Sequence, residues 1–184
     1  MYLRTGRRFV RRAHTSRGKA QYFWCESNGG TVGTVVTAGA PVALAIDNAL
    51  NTDYSARKTG ATVMRIAGSI YAVPLLAPAA GTSGLFVASF VLESSSATAA
   101  AMDPTSGTGR QMRQLQNYYW NQPFTAAPAV ANIMYETERC VEVRSRRKYR
   151  DEQDSLFLTL ADQNNLGTQQ WRVFFRLRTL IRVP

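Results

Sequence analysis

The residues with the clearest chemical character in this sequence are arginines at regular spacing near its end. Residues 171–183 read WRVFFRLRTLIRV, and their basic positions are all even-numbered: Arg172, Arg176, Arg178 and Arg182. A guanidinium group stays charged at physiological pH and presents several N–H donors that match the oxygens of a phosphate. The pattern therefore indicates a surface for an anionic partner.

A second group of basic residues lies in the first twenty positions, and no acidic residue precedes Glu26. These seven residues are Arg4, Arg7, Arg8, Arg11, Arg12, Arg17 and Lys19. They supply +7 of the formal charge of +10, because the other 15 basic residues are offset by all 12 acidic ones. Since like charges repel, we predict a disordered arm over residues 1–20 that binds nucleic acid and releases counterions. A tail that is merely solvated is the alternative.

The C-terminal segment also alternates in hydrophobicity with a period of two. Its odd positions are almost all apolar from Trp171 to Val183, and Phe174 and Leu180 are the apolar exceptions among the even ones. Successive side chains of a strand point to opposite faces, so we predict one long strand with an apolar face and a cationic face.

Residues 139–149 show the same alternation more weakly, with Val141, Val143 and Tyr149 on one parity. The other parity adds three candidate phosphate ligands on a second strand: Arg144, Arg146 and Lys148. For the four arginines of residues 171–183, the alternative to nucleic acid is pairing within the protein or with a neighbouring subunit. The carboxylates considered for such pairing are Glu93, Glu136 and Glu142.

Most other patterned segments have strand character. Strands are predicted over residues 21–26, 31–46, 61–73, 84–92 and 155–160, the last with Leu156, Leu158 and Leu160 inward. Three segments are less regular: residues 42–50 fit a strand end or a short helix, 110–116 a short helix, and 131–136 another strand. Seven or eight strands with few helices and long loops predict an all-β sandwich or jelly roll, and not βαβ units.

The length and composition fit one domain over residues 21–184, because 184 residues with 45% apolar content can bury one sizeable core. Cys25 and Cys140 are predicted to be buried free thiols, since two cysteines make no disulfide framework, with a single bridge between them as the alternative. No apolar run is long enough to span a membrane, and Arg11 and Arg12 interrupt any signal peptide. We therefore expect a soluble protein made in the cytosol, with no membrane partner.

The sequence offers few residues that could form a catalytic site. The single histidine, His14, lies in the basic arm, so a Ser-His-Asp or Cys-His arrangement has no ordered base. The glycine-rich stretches lack the G-K-[ST] of a phosphate-binding loop. Asp151, Glu152 and Asp154 are close enough to bind a cation, but a solvated turn between two strands is favoured. We predict a protein that is not an enzyme and that has no cofactor and no metal.

Several segments together resemble a known family. Residues 154–164 and 171–183 are similar to the last two strands of capsid proteins from circovirus-like, Rep-encoding circular single-stranded DNA (CRESS DNA) viruses. Residues 63–73 resemble the second long strand of those proteins, and residues 141–149 a basic strand before the final pair. The arm is shorter and less rich in arginine than that of circoviruses proper.

The resemblance implies a single eight-stranded antiparallel jelly roll of the viral capsid type, with sheets in the order B-I-D-G and C-H-E-F. It implies a T=1 icosahedral shell of sixty copies around circular single-stranded DNA, with the last strand in the sheet nearer the lumen. The protein would then be found in the virion and in the cytoplasm of the infected cell. Independently of the resemblance, the pairs Arg7-Arg8 and Arg11-Arg12 make the arm a candidate nuclear import signal, with a host nuclear import receptor as its partner.

Other classes remain open. A capsid protein of a satellite-like single-stranded RNA virus shares both the jelly roll and the basic arm. A monomeric single-strand-binding module needs exposed aromatic and basic residues on one face, whereas the final strand places its aromatic residues mostly opposite its arginines. A carbohydrate-binding jelly roll leaves the arm unexplained. The loop over residues 74–83 and the aromatic cluster over 118–124 are predicted to form either subunit contacts or core.

Overall fold

The protein is described by a computed structural model. It describes residues 21–29, 33–37, 39–48, 58–76, 83–105, 114–123, 137–162 and 170–184. The predicted basic arm, the predicted strand over 131–136 and most of the loop over 74–83 lie outside the described residues.

All nine named elements are β-strands. In chain order they are β1 (Gln21–Asn28), β2 (Thr34–Thr37), β3 (Val42–Ala45), β4 (Thr62–Leu76), β5 (Ser83–Ser94), β6 (Gln114–Pro123), β7 (Thr137–Lys148), β8 (Asp154–Asp162) and β9 (Gln170–Val183). The described part of the chain contains no helix long and apolar enough to cross a membrane.

The strands form two antiparallel sheets. The five-stranded sheet has the order β1-β9-β4-β7, with β2 also paired to β9, and the four-stranded sheet has the order β3-β8-β5-β6. β1 pairs with residues 176–183 of β9 and β2 with residues 170–173, so β1 and β2 share one position at the edge of the sheet. Eight strand positions in these two orders are the B-I-D-G and C-H-E-F sheets of a jelly roll. The predicted fold is therefore confirmed by its own connectivity.

The core lies between the two sheets, and the odd-numbered face of β9 supplies one wall of it. From Trp171 to Val183 every odd residue is buried, as the alternation predicted. Trp171 packs against Phe86 of the other sheet with ring centres 5.4 Å apart, and its Nε1 donates to Asp162 Oδ2 at 2.9 Å. Burying each large apolar side chain contributes about 1.5–3 kcal/mol, so this face holds the sheets together.

The predicted short helix over 110–116 is wrong for its described part. Residues 114–116 belong to β6, where Gln116 lies opposite Phe90 of β5. Glutamine and leucine are good helix formers, but helix propensity is only a weak determinant of structure, and pairing with a central strand decides the conformation. Trp120 in the same strand is buried, so this part of the aromatic cluster is core.

Two further predictions need adjustment. Leu156, Leu158 and Leu160 of β8 are in the core as expected, but every residue of the strand is buried, on both of its faces. β8 lies between β3 and β5 in an antiparallel sheet, and such strands more commonly leave one face to solvent, which is why alternation was expected. Neither cysteine is in a disulfide, as predicted; Cys25 is buried, whereas Cys140 is exposed, because it lies on the outward parity of β7 with Glu142 and Arg144.

Candidate nucleic-acid interface

The basic residues of the strands are confined to one sheet. The strands of the five-stranded sheet contain ten of them: Arg65, Arg139, Arg144, Arg146, Arg147, Lys148, Arg172, Arg176, Arg178 and Arg182. Those of the four-stranded sheet contain none, and their charged residues are Glu93, Asp154 and Asp162. A polyanion would therefore be attracted to one side of the molecule and not to the other.

The structure brings most of the predicted strand ligands together on the outer face of the five-stranded sheet. Arg176, Arg178 and Arg182 of β9 are exposed, on the parity opposite to the core residues. On β7 the predicted ligands Arg144, Arg146 and Lys148 are exposed as well. We call this surface the basic face: the outward side of β1, β9, β4 and β7.

Arg172 differs from the other three predicted arginines of β9. Its side chain is half-buried, and its Nε is buried without a hydrogen-bond partner. Arg139 differs in another way, because it lies opposite the buried Ile70 and shares its parity with Val141 and Val143 of the core. Its exposed side chain therefore does not belong to the basic face.

Two carboxylates partly neutralise the basic face. Glu142 accepts a hydrogen bond from Arg65 at 2.7 Å and lies 3.6 Å from Arg144. Hydrogen bonding to Arg65 lowers the pKa of Glu142, and the same bond raises the pKa of Arg65. Glu26 on β1 pairs with Arg178 at 3.2 Å. Glu142, which was a candidate partner for the β9 arginines, thus pairs with Arg65 and Arg144 instead, whereas Arg178 of β9 pairs with Glu26, which was not among the candidate partners.

The structure also places aromatic residues on the basic face, which the sequence analysis missed. Tyr22 lies opposite Arg182 and Trp24 opposite Leu180 in the pairing of β1 with β9. Their side chains are 58% and 48% exposed. Within β9, most aromatic residues do lie on the side away from the arginines, as expected. The basic face nevertheless has aromatic residues, because β1 contributes Tyr22 and Trp24 to it. The sequence signal that could have identified these residues is the spacing of Tyr22, Trp24 and Glu26, which places all three on one face of a strand.

A cleft opens in the basic face at Gly68 of β4. Its volume is about 380 Å³, and it is lined by Glu26, Ser27, Asn28, Gly68, Ser69, Arg176, Leu177 and Arg178. Gly68 has φ of +147°, and a Cβ there would collide with the carbonyl oxygen of Arg176. Only glycine permits this close approach of the two backbones, which places β4 against β9 at the cleft.

The candidate cation cluster is a turn between β7 and β8. Asp151 Oδ1 accepts hydrogen bonds from the backbone N–H groups of Gln153 and Asp154, and Asp154 Oδ2 accepts one from Arg150. Glu152 is exposed. Among the described residues no group of three or more histidine, cysteine or carboxylate side chains could hold a metal ion. The carboxylates of Asp151 and Asp154 thus hold the turn.

A cluster of polar side chains is buried inside the molecule, around Asp47. Asp47 Oδ2 accepts hydrogen bonds from the Tyr149 hydroxyl at 2.9 Å and the Leu156 N–H at 3.0 Å, and lies 3.6 Å from Lys58 Nζ. Lys58 donates to Ser155 Oγ at 3.1 Å. Burial raises the pKa of Asp47, and burial beside Asp47 raises the pKa of Tyr149 well above its usual value. This cluster binds strands and loops together within the fold.

Comparison with known proteins gives structural likeness alone. No protein-family model and no curated protein sequence matches the chain. A chain of Cocksfoot mottle virus is 14% identical with a TM-score of 0.39, covering 98% of this chain and 89% of that one. A chain of Desmodium yellow mottle tymovirus is 12% identical with a TM-score of 0.35, covering 90% and 88%. At such scores the likeness carries no argument, and the fold assignment rests on strand order.

Proposed function

We propose that the chain is a viral capsid protein that assembles into a closed shell and packages single-stranded nucleic acid against its basic face. The observation that carries this proposal is the confinement of all ten strand basic residues to one of the two sheets. A shell subunit has one surface toward its cargo and another toward solvent, so it needs this asymmetry of charge. The cargo is held through its phosphates, which makes binding tolerant of sequence and sensitive to salt.

The finer assignment follows the sequence resemblance. We propose a T=1 shell of sixty copies around circular single-stranded DNA, with the arm over residues 1–20 and the basic face both toward the lumen. Sixty arms of seven charges bring about 420 positive charges. Arg176, Arg178 and Arg182 add about 180 more, of which Glu26 beside Arg178 offsets about 60. The face therefore supplements the arm substantially, and the domain over residues 21–184 takes part in packaging as well as in building the shell.

A single-strand-binding module that acts as a monomer is the second candidate function. It is favoured by the exposed Tyr22 and Trp24 beside the arginines of β9. The two candidates differ in oligomeric state and not in the chemistry of the face. A measurement of the mass of the protein in solution therefore distinguishes the two candidate functions.

Analytical ultracentrifugation and electron microscopy of the purified chain test the proposal. Sixty chains of 20.4 kDa make a particle of about 1.2 MDa, which we expect as uniform closed shells. A stable monomer at low salt would contradict the capsid function and favour the single-strand-binding module. Digestion of the co-purified nucleic acid with DNase or RNase then distinguishes a DNA cargo from an RNA cargo.

Deletion of residues 1–19 tests the contribution of the arm separately. We expect shells to form and to carry much less nucleic acid, since the deletion removes seven positive charges per copy. The ratio of absorbance at 260 and 280 nm measures the loading. Unchanged loading would show that the basic face alone holds the cargo.

A further inference from the structure

Two large aromatic side chains on the basic face have no role in the core. Tyr22 and Trp24 are among the few large apolar side chains that are exposed in the described part of the chain, and they lie two residues apart on one strand. Side chains at this spacing share a face. Exposed aromatic surface surrounded by polar groups commonly marks a binding site.

The surroundings of Trp24 resemble those of a stacking site for bases. The guanidinium carbon of Arg178 lies 5.4 Å from the centre of the Trp24 ring, and Glu26 holds the same guanidinium at 3.2 Å. Aromatic rings and guanidinium planes are the groups on which unpaired bases stack, whatever the base. The ring remains 48% exposed, so part of it is available to a ligand.

The cleft at Gly68 provides a place for a phosphate next to this ring. Arg178 connects the two features, because it lines the cleft and also lies over Trp24. Arg176 and the hydroxyl of Ser69 line the cleft too, and both can donate hydrogen bonds to phosphate oxygens. Arg178 thus joins the donors of the cleft to the exposed ring, because it lines the cleft and lies 5.4 Å from the centre of the Trp24 ring.

We propose that this part of the basic face is a site for single-stranded nucleic acid, in which an unpaired base stacks on Trp24 while the adjoining phosphate lies in the Gly68 cleft against Arg176. The proposal rests on the proposed function and adds the means of recognition. In a duplex the bases are stacked on one another and cannot reach the ring. The face therefore selects single strands over duplexes, which phosphate contacts alone do not achieve.

Tryptophan fluorescence of the full-length chain reads this site directly when it is measured on unassembled subunits freed of nucleic acid, because an added strand cannot reach the inner face of a closed shell. The chain has three tryptophans, and Trp120 and Trp171 are buried. Quenching by an added ligand therefore reports mainly on Trp24, and the arm contains no tryptophan that would interfere. We expect a 20-nucleotide oligothymidine to quench the emission and a duplex of the same length to leave it nearly unchanged at the same salt concentration.

Substitutions separate stacking from charge. Trp24→Leu is expected to weaken binding of the labelled oligothymidine about tenfold without changing the dependence of affinity on salt, because stacking releases no counterions. Trp24→Phe retains an aromatic ring and should recover most of the affinity. The matched control is Tyr119→Leu, which removes an aromatic ring that is 52% exposed on the four-stranded sheet, and which should leave affinity unchanged.

The outcomes distinguish this site from the capsid function. Equal quenching by single strand and duplex, or a Trp24→Leu variant that binds oligothymidine as the wild type does, would overturn the stacking site and leave the proposed shell intact. Selective quenching in a chain that stays monomeric would support the site and contradict the shell. The wild-type measurement decides without any variant, should Trp24→Leu fail to fold.

Discussion

Arg178 Nε lies 3.2 Å from Glu26 Oε1, across the antiparallel pairing of β9 with β1. The same guanidinium lies over the ring of Trp24. The side chain is therefore already held in place before any ligand binds, which reduces the conformational entropy lost on binding. The carboxylate that holds it is also a negative charge where phosphates are expected.

Glu26→Gln is expected to strengthen binding of single-stranded oligonucleotides. Removing one exposed negative charge from the basic face should raise affinity about two- to fivefold at low salt, and the gain should disappear at high salt. Fluorescence anisotropy at two salt concentrations measures both effects. Glu152→Gln, which removes an exposed carboxylate from the turn outside the sheets, is the control. Weaker binding by Glu26→Gln would mean that holding Arg178 in place matters more than the repulsion.

Replacing the three exposed arginines of β9 by glutamine should reduce the salt dependence of binding. Each lost phosphate contact to a single strand lowers the slope of log affinity against log salt by about 0.7, so the triple variant at positions 176, 178 and 182 should lose about 2. Arg139→Gln is the matched control, because its side chain lies on the other parity of its strand. An equal loss from Arg139→Gln would contradict the assignment of the face.

Gly68→Ala is expected to destabilise the fold more than the same change at Gly39. Both glycines have positive φ, but a Cβ at Gly39 meets nothing within 4 Å, whereas at Gly68 it collides with the Arg176 carbonyl. We expect a loss of about 1–2 kcal/mol at Gly39 from backbone strain alone, and clearly more at Gly68, where the pairing of β4 with β9 must also shift. Thermal unfolding of both variants measures the difference. Equal losses would show that the strands can move apart without difficulty.

Tyr149→Phe tests the buried hydrogen bond to Asp47. Its loss should lower the free energy of unfolding by about 1.5–3 kcal/mol at neutral pH, since the acceptor is charged. The pKa of Tyr149 is raised in the folded state, so its contribution is complete below the unfolded pKa and is lost as pH rises through the folded pKa. The variant should therefore lose less stability than the wild type in strong alkali. Chemical denaturation across the alkaline range measures this, with the exposed Tyr119→Phe as the control.

Asp47→Asn should destabilise the protein by about 3–5 kcal/mol at neutral pH, because it removes one charge of a buried pair, the carboxylate that lies 3.6 Å from Lys58 Nζ. The pKa of Asp47 is raised by burial, so its protonated form is favoured in the folded state. Its contribution is complete below the unfolded pKa and declines as pH rises through the folded pKa. The variant has no carboxyl group at position 47, so its free energy of unfolding should lack this contribution to the pH dependence in the acid range. Identical denaturation curves for both proteins from pH 3 to 7 would contradict this account.

The sequence predicted the structure correctly where the pattern within a single strand was sufficient. In β9, alternation over thirteen residues identified both the strand and its buried face, because strand geometry directs successive side chains to opposite sides. The prediction was wrong over Gln114–Gln116, where pairing with β5 decides the conformation. No local pattern reports such pairing, since the partner is distant in the sequence.

The sequence by itself determined the all-β character, the two faces of β9 and the basic residues available for phosphate binding, because these depend on residue type and on a period of two. Only the tertiary structure decided which side chains become neighbours. It placed Trp24 and Glu26 beside Arg178, and it opened a cleft at Gly68 against Arg176. The register between strands follows from packing of the whole core, and it converts a set of separate arginines into one face with aromatic residues on it.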